Sequence, residues 1–214
     1  MEKTKLLERI AERLADLDSE GLKNLVKEGL ERGLTPQVLV RGGLGEGMRL
    51  VGERYEGGEY FLSELIMAGV TMNEALDLIR PQLEHDAIEP IGKVVIGTVE
   101  GDLHDIGKNI VISMLKSAGF QVHDLGVDVP PAKFAEAVEK ERPDLLCLST
   151  LLSVTMLKVQ ETIEALGAKG LRGATKVLVG GRCLNDEIAR TIGADAYGKD
   201  AWDAVVKAKG LMGL

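Results

Sequence analysis

Asp102, His104 and Gly107 follow the spacing D-x-H-x-x-G within Glu100-Gly101-Asp102-Leu103-His104-Asp105-Ile106-Gly107-Lys108-Asn109. A neutral imidazole is a common transition-metal ligand, and the hydrogen bond at one ring nitrogen decides which nitrogen is free to bind. A carboxylate two residues away can accept that bond and set the ligand's orientation and basicity. Two further segments carry chemistry-bearing residues. One is the hydroxyl cluster Ser149-Thr150-Leu151-Leu152-Ser153-Val154-Thr155, and the other is the pair Gly180-Gly181. Singly, each has a plainer reading as a surface histidine, a set of helix caps or a tight turn. Their placement relative to one another is what carries information.

The elements around them explain that placement. The apolar run Val94 to Val99 precedes the histidine loop, and the periodic stretch Ile110 to Leu115 follows it. From Gly92 onward, strands expected at about 93–99, 121–124, 144–149, 176–180 and 194–197 alternate with helices at about 107–118, 131–141, 155–168, 185–191 and 200–210. Five such units predict a doubly wound parallel sheet of flavodoxin-like order. The carboxyl ends of strands one, three and four are then neighbours, and all three signals line one crevice.

Residues 1 to about 88 read as helices instead. Leu6, Leu7, Ile10, Leu14 and Leu17 recur at helical spacing, Asp18-Ser19-Glu20 offers a cap for a second helix, and Gly33 ends it. Thr35-Pro36 opens a third helix and Phe61 to Leu83 forms the last. Gly42, Gly43, Gly45, Gly47 and Gly52 fall in the third, which reads equally as a broken helix or as a helix packed closely on a neighbour or a flat ligand. The expected architecture is α/β: a four-helix bundle cap over residues 1–90, a linker at Ala87-Ile88-Glu89-Pro90, and a flavodoxin-like doubly wound parallel five-stranded sheet over 91–214.

A net charge of −8 and the lack of a basic patch argue against a nucleic-acid partner. No apolar stretch reaches the roughly 18 residues of a membrane span, and no signal peptide is visible, so a cytoplasmic protein is expected. Cys147 and Cys183, 36 positions apart, do not suggest a disulfide framework.

Asp102-x-His104-x-x-Gly107, 41 residues, Ser149-x-Leu151, 28 residues and Gly180-Gly181 together resemble the signature of cobalamin-binding domains. Gly126-Val127-Asp128-Val129-Pro130 is similar to a segment that recurs after their second strand. The N-terminal half, above all Gly52 to Glu59 and Phe61 to Leu65, resembles the helical cap of methionine synthase and of small corrinoid proteins. The resemblance implies cobalamin or a related corrinoid, bound base-off, with His104 as the axial ligand on cobalt. It implies a relay in which Asp102 orients His104 and Thr155 completes the chain. It also implies that Gly101, Leu103, Asp105 and Ile106 of the loop, with Leu151 and Ser153, line the cofactor. Ser149 would meet the displaced nucleotide tail, and Gly107, Gly180 and Gly181 would leave room for it. Phe61 and Leu62 would shield the opposite corrin face, unless they are simply bundle core.

The implied function is a methyl carrier, a non-catalytic subunit of a methyltransferase system. A substrate-specific methyltransferase loads the cobalt, and an acceptor methyltransferase passes the methyl group to tetrahydrofolate or a thiol. A reductive activation protein would restore oxidised cobalt. The alternatives are a cobalamin-dependent sensor or regulator, or a mutase small subunit, which typically lacks the cap.

Overall fold

The computed structural model describes residues 2–83 and 90–214, so most of the expected linker, residues 87–89, lies outside the described residues. The chain divides into two compact units, Met1–Glu89 and Pro90–Leu214.

The first unit comprises α1 (Glu2–Ala15), α2 (Ser19–Glu31), α3 (Pro36–Val38), a π-helical stretch Leu39–Leu44, α4 (Gly45–Glu56) and α5 (Leu62–Leu83). In α1, Leu6, Ile10, Ala11 and Leu14 form one buried stripe at i, i+4 and i+8, which packs with Leu22, Leu39, Leu44, Leu65 and Met72 into the unit's core. Leu17 departs from the expected periodicity. It is left-handed at φ 59° and ends the helix, after which the Asp18 carboxylate accepts the Gly21 N–H at 2.9 Å to start α2.

The glycine-rich third helix is helical, with its turn widened to π geometry where α3 passes towards α4. Close packing accounts for two of its glycines. A Cβ on Gly43 would lie 2.7 Å from Ile10 Cγ2, and one on Gly47 would lie 2.8 Å from Leu14 Cβ and 2.9 Å from the Ala11 carbonyl oxygen. These positions let α4 and the π stretch approach α1 more closely than any side chain allows.

The second unit comprises β1 (Lys93–Thr98), α6 (Ile106–Ser117), β2 (Gln121–Asp124), α7 (Pro131–Glu141), β3 (Leu145–Ser149), a short 3-10 turn Ser153–Thr155, α8 (Met156–Ala168), β4 (Lys176–Gly180), α9 (Asp186–Thr191), β5 (Ala196–Gly198) and α10 (Ala201–Leu211). The sheet is parallel throughout, with order β2-β1-β3-β4-β5, the flavodoxin-like order expected. β1 and β3 are buried on both faces, which is why they read as unbroken apolar runs, whereas edge strand β2 is largely exposed. The register aligns Thr98, Ser149, Gly180 and Gly198 in one row at the carboxyl ends. Both cysteines are free, and burial pushes the Cys147 thiol well above its ordinary range, so it packs as an inert apolar side chain.

Candidate cofactor site at the carboxyl ends of the strands

β1 delivers the chain to the sheet's carboxyl edge, and Gly101, at φ 81°, turns it towards α6. Between them Asp102 is fully buried, while the His104 side chain is 55% exposed. His104 Nδ1 lies 2.7 Å from Asp102 Oδ1, and the His104 backbone N–H donates to the same oxygen at 3.0 Å. The carboxylate thus accepts the Nδ1 proton and leaves Nε2 as the ring's free lone pair.

The other carboxylate oxygen of Asp102 reaches the β3–α8 connection. It accepts N–H bonds from Leu151 at 2.6 Å and Leu152 at 3.3 Å. Burial by itself would raise the Asp102 carboxyl, but the Leu151 and His104 N–H groups, the His104 ring and the Leu152 N–H outweigh it and hold it down at about 2. Asp102 is therefore ionised throughout the physiological range.

Thr155 is buried next to this carboxylate, but its hydroxyl is 3.4 Å from Asp102 Oδ2, against 3.0 Å from the Leu152 carbonyl oxygen and 2.7 Å from Thr150 Oγ1. Thr150, part of the hydroxyl cluster but given no role by the sequence, is fully buried and also stands 3.4 Å from Asp102 Oδ2. Thr98, likewise unforeseen, donates its hydroxyl to the His104 carbonyl at 2.9 Å. Their signal lay only in register: both are polar residues at strand ends, indistinguishable in sequence from ordinary caps.

The remaining loop residues differ in what they do. Leu103, Ile106, Leu151, Leu152 and Val154 are exposed apolar side chains on the two loops that Asp102 joins. Ser153 is exposed and Ser149 half-buried, its carbonyl accepting the Val99 N–H at 3.0 Å. Asp105 is occupied by Asn109, 3.1 Å from its side-chain amide. A Cβ on Gly107 would meet open space, and one on Gly180 would make ordinary contact with the Gly198 carbonyl oxygen. Gly181 is needed for a different reason. At φ 137° it passes so close to the Thr150 carbonyl that any Cβ would collide with that oxygen. Phe61 and Leu62 belong to the first unit and are 69% and 48% exposed, so neither is bundle core.

Among the described residues no group of three or more His, Cys, Asp or Glu side chains is arranged to hold a metal ion. One free imidazole nitrogen on an apolar rim suits a metal that brings its own equatorial ligands within a large, mostly apolar ring. That is the donor pattern of a corrinoid.

Comparison with known proteins agrees with this class. A B12 binding domain model matches residues 92–206, and a second B12 binding domain model matches residues 6–80. The chain is 38% identical over 209 residues to trimethylamine corrinoid protein 1 of Methanosarcina mazei, covering 97% of each. It is 39% identical over 209 residues to dimethylamine corrinoid protein 3 of Methanosarcina acetivorans, covering 96% of this chain and 98% of that protein. A cobalamin-binding protein from Desulfitobacterium hafniense superposes with a TM-score of 0.84 at 37% identity, covering 96% and 98% of the two chains. A chain of the methanol:cobalamin methyltransferase complex of Methanosarcina barkeri gives 0.83 at 30% identity, covering 98% of this chain and 80% of that one. The fold and site define a B12-binding protein of Rossmann-like architecture. The chain belongs to the family of corrinoid proteins that pair this domain with a helical B12-binding domain. Among the described residues no helix is long and apolar enough to cross a membrane.

Proposed function

We propose that this protein is a corrinoid methyl carrier, with His104 as the axial ligand to a base-off cobalamin. The observation that carries the reading is the exposed His104 imidazole, held through Nδ1 by an ionised Asp102 on a rim of exposed apolar side chains. When bound, the corrinoid supplies a cobalt that accepts a methyl group from one partner and yields it to another. The protein's own residues do the rest. Asp102 Oδ1 fixes the ring's tautomer and direction, and the Leu151 and Leu152 N–H groups keep that carboxylate charged. Nε2, the ring nitrogen that Asp102 does not engage, would hold the cobalt. Thr150 and Thr155 supply hydroxyls beside Asp102 Oδ2 that can turn towards it as its charge is called on. Gly107 leaves open space for the nucleotide tail, and Ser149, in register with Gly180, meets it.

In the first unit Leu62, Ile66, Met67 and Val70 form an exposed apolar stripe on α5, with exposed Phe61 just before it. Its proposed role is to shield the methyl-bearing face of the corrin from water. Relatives named for trimethylamine and dimethylamine, and the methanol methyltransferase complex, support a methyltransferase as the loading partner. An acceptor methyltransferase, a reductive activation protein and a cytoplasmic setting complete the proposal. The N-terminal B12-binding match disfavours a mutase small subunit, and the acidic net charge disfavours a DNA-binding regulator. The test is reconstitution with cobalamin, reduction to Co(II) and electron paramagnetic resonance. Wild type is expected to show coupling of cobalt to one histidine nitrogen, and His104→Ala to lose it. Failure of the wild-type protein to bind any corrinoid would end this reading.

A further inference from the structure

Asp128 is one of only three non-glycine residues among those described with positive φ, at 53°. A left-handed backbone disfavours aspartate relative to glycine, unless its side chain or backbone gains something local in return. Here it gains two bonds to the same loop. Its Oδ1 accepts the Gly101 N–H at 2.7 Å, and its own N–H donates to the Asp102 carbonyl at 3.1 Å. One residue in the β2–α7 connection thus holds the peptide units on both sides of the Gly101–Asp102 junction. The adjoining backbone is tied as well, with the Thr98 N–H on the Gly126 carbonyl and the Val129 N–H on the Thr98 carbonyl, both at 3.0 Å.

This brace acts on the part of the loop that the Asp102 side chain leaves free. Asp102 secures His104 and the β3–α8 connection through its carboxylate, and Thr98 secures the His104 carbonyl. The Asp102 N–H closes the turn on the Val99 carbonyl at 3.1 Å, but these bonds leave the Gly101 N–H, on the loop's least restricted residue at φ 81°, to Asp128. If that peptide rotates, Asp102 and its histidine rotate with it. We infer that Asp128 is a positioning residue for the axial ligand: its carboxylate and backbone N–H clamp the Gly101–Asp102 turn and so set where His104 presents Nε2. The inference rests on the proposed role of His104 and adds to it a residue that touches neither the ring nor the metal.

The test uses the full-length protein with three substitutions. Asp128→Gly removes the carboxylate while relieving the left-handed backbone, so global stability is kept. Asp128→Asn preserves both the acceptor oxygen and a side chain tolerant of positive φ. Asp128→Ala removes the acceptor and leaves the strain. In the unloaded protein, amide hydrogen exchange at Gly101 is expected to speed up roughly fivefold or more in Asp128→Gly, the effect of losing one ordinary hydrogen bond. It is expected to stay near wild type in Asp128→Asn. In the Co(II)-cobalamin form, the fraction of cobalt coupled to a histidine nitrogen is expected to fall in Asp128→Gly and Asp128→Ala and to be retained in Asp128→Asn. Wild-type exchange and wild-type nitrogen coupling in Asp128→Gly would overturn the clamp, as would equal loss in Asp128→Asn. Absence of nitrogen coupling in the wild-type protein itself would instead overturn the His104 assignment, and the positioning role with it.

Discussion

At the scale of single residues, Asp102 is the member of the site whose charge state is most strongly set by its surroundings. Its carboxyl lies at about 2, below the ordinary 3.8, because N–H donors from two loops converge on it despite its burial. A carboxyl lowered on folding stabilises the native state above its unfolded value and loses that contribution as pH falls through the folded value. Asp102 is therefore expected to contribute about 2 kcal/mol to the unloaded protein above pH 4, disappearing between about pH 4 and pH 2. Urea unfolding of wild type and Asp102→Asn across that window checks it: the gap between the two should narrow as pH falls. A constant gap would show that Asp102 is not held ionised by these donors. The motif made Asp102 and His104 legible because both lie within three residues of chain. Thr98 was not legible, and Thr150 stood in the hydroxyl cluster without a role, because only the fold brings their hydroxyls to the same loop.

At the scale of elements, α6 must be held in place, because it begins where the histidine loop ends. Lys108 in its first turn is buried, and its Nζ reaches Asp124 at the end of β2 at 2.7 and 2.8 Å and Asn109 at 3.1 Å. The Asp124 side chain is 37% exposed, whereas that of Lys108 is 2% exposed, so the pair is asymmetric. Removing the carboxylate leaves a buried ammonium with poor compensation, while removing the lysine leaves an anion that water can reach. Asp124→Ala is thus expected to destabilise by about 3 kcal/mol and Lys108→Met by distinctly less, measured by denaturant unfolding. The reverse order would refute this account of the pair. Sequence periodicity located α6 and β2 to within a residue or two, but a lysine inside an apolar-periodic helix gives no sign of being buried until its partner strand is placed.

At the scale of the whole molecule, the apolar stripe from Phe61 to Val70 and the apolar rim around His104 belong to different units. The shielding role proposed for the stripe has a direct consequence for loading. Adding cobalamin at a hundredfold excess over its Kd should stabilise the unit that binds it by about 2.7 kcal/mol. Hydrogen exchange should then slow in α6 and, by the shielding proposal, also at Phe61 and in residues 62–70 of α5. Slowing confined to α6 would remove Phe61 and Leu62 from the cofactor's surroundings.

The sequence by itself determined the order and kind of nearly every element, the parallel sheet, and the spaced residues Asp102, His104, Gly107, Ser149 and Gly180-Gly181. Those signals are local: caps, turn residues and apolar periods act over a few residues. The tertiary structure decided the rest. It showed that the glycine-rich segment is helical and that Gly43 and Gly47 let it approach α1 closely, that Leu17 ends a helix rather than extending it, and that Gly181 is required by the Thr150 carbonyl. It brought Thr98, Thr150 and left-handed Asp128 to the histidine loop. Those placements depend on which strands pair and in what register, and on a backbone angle that becomes affordable only when both of its hydrogen bonds exist.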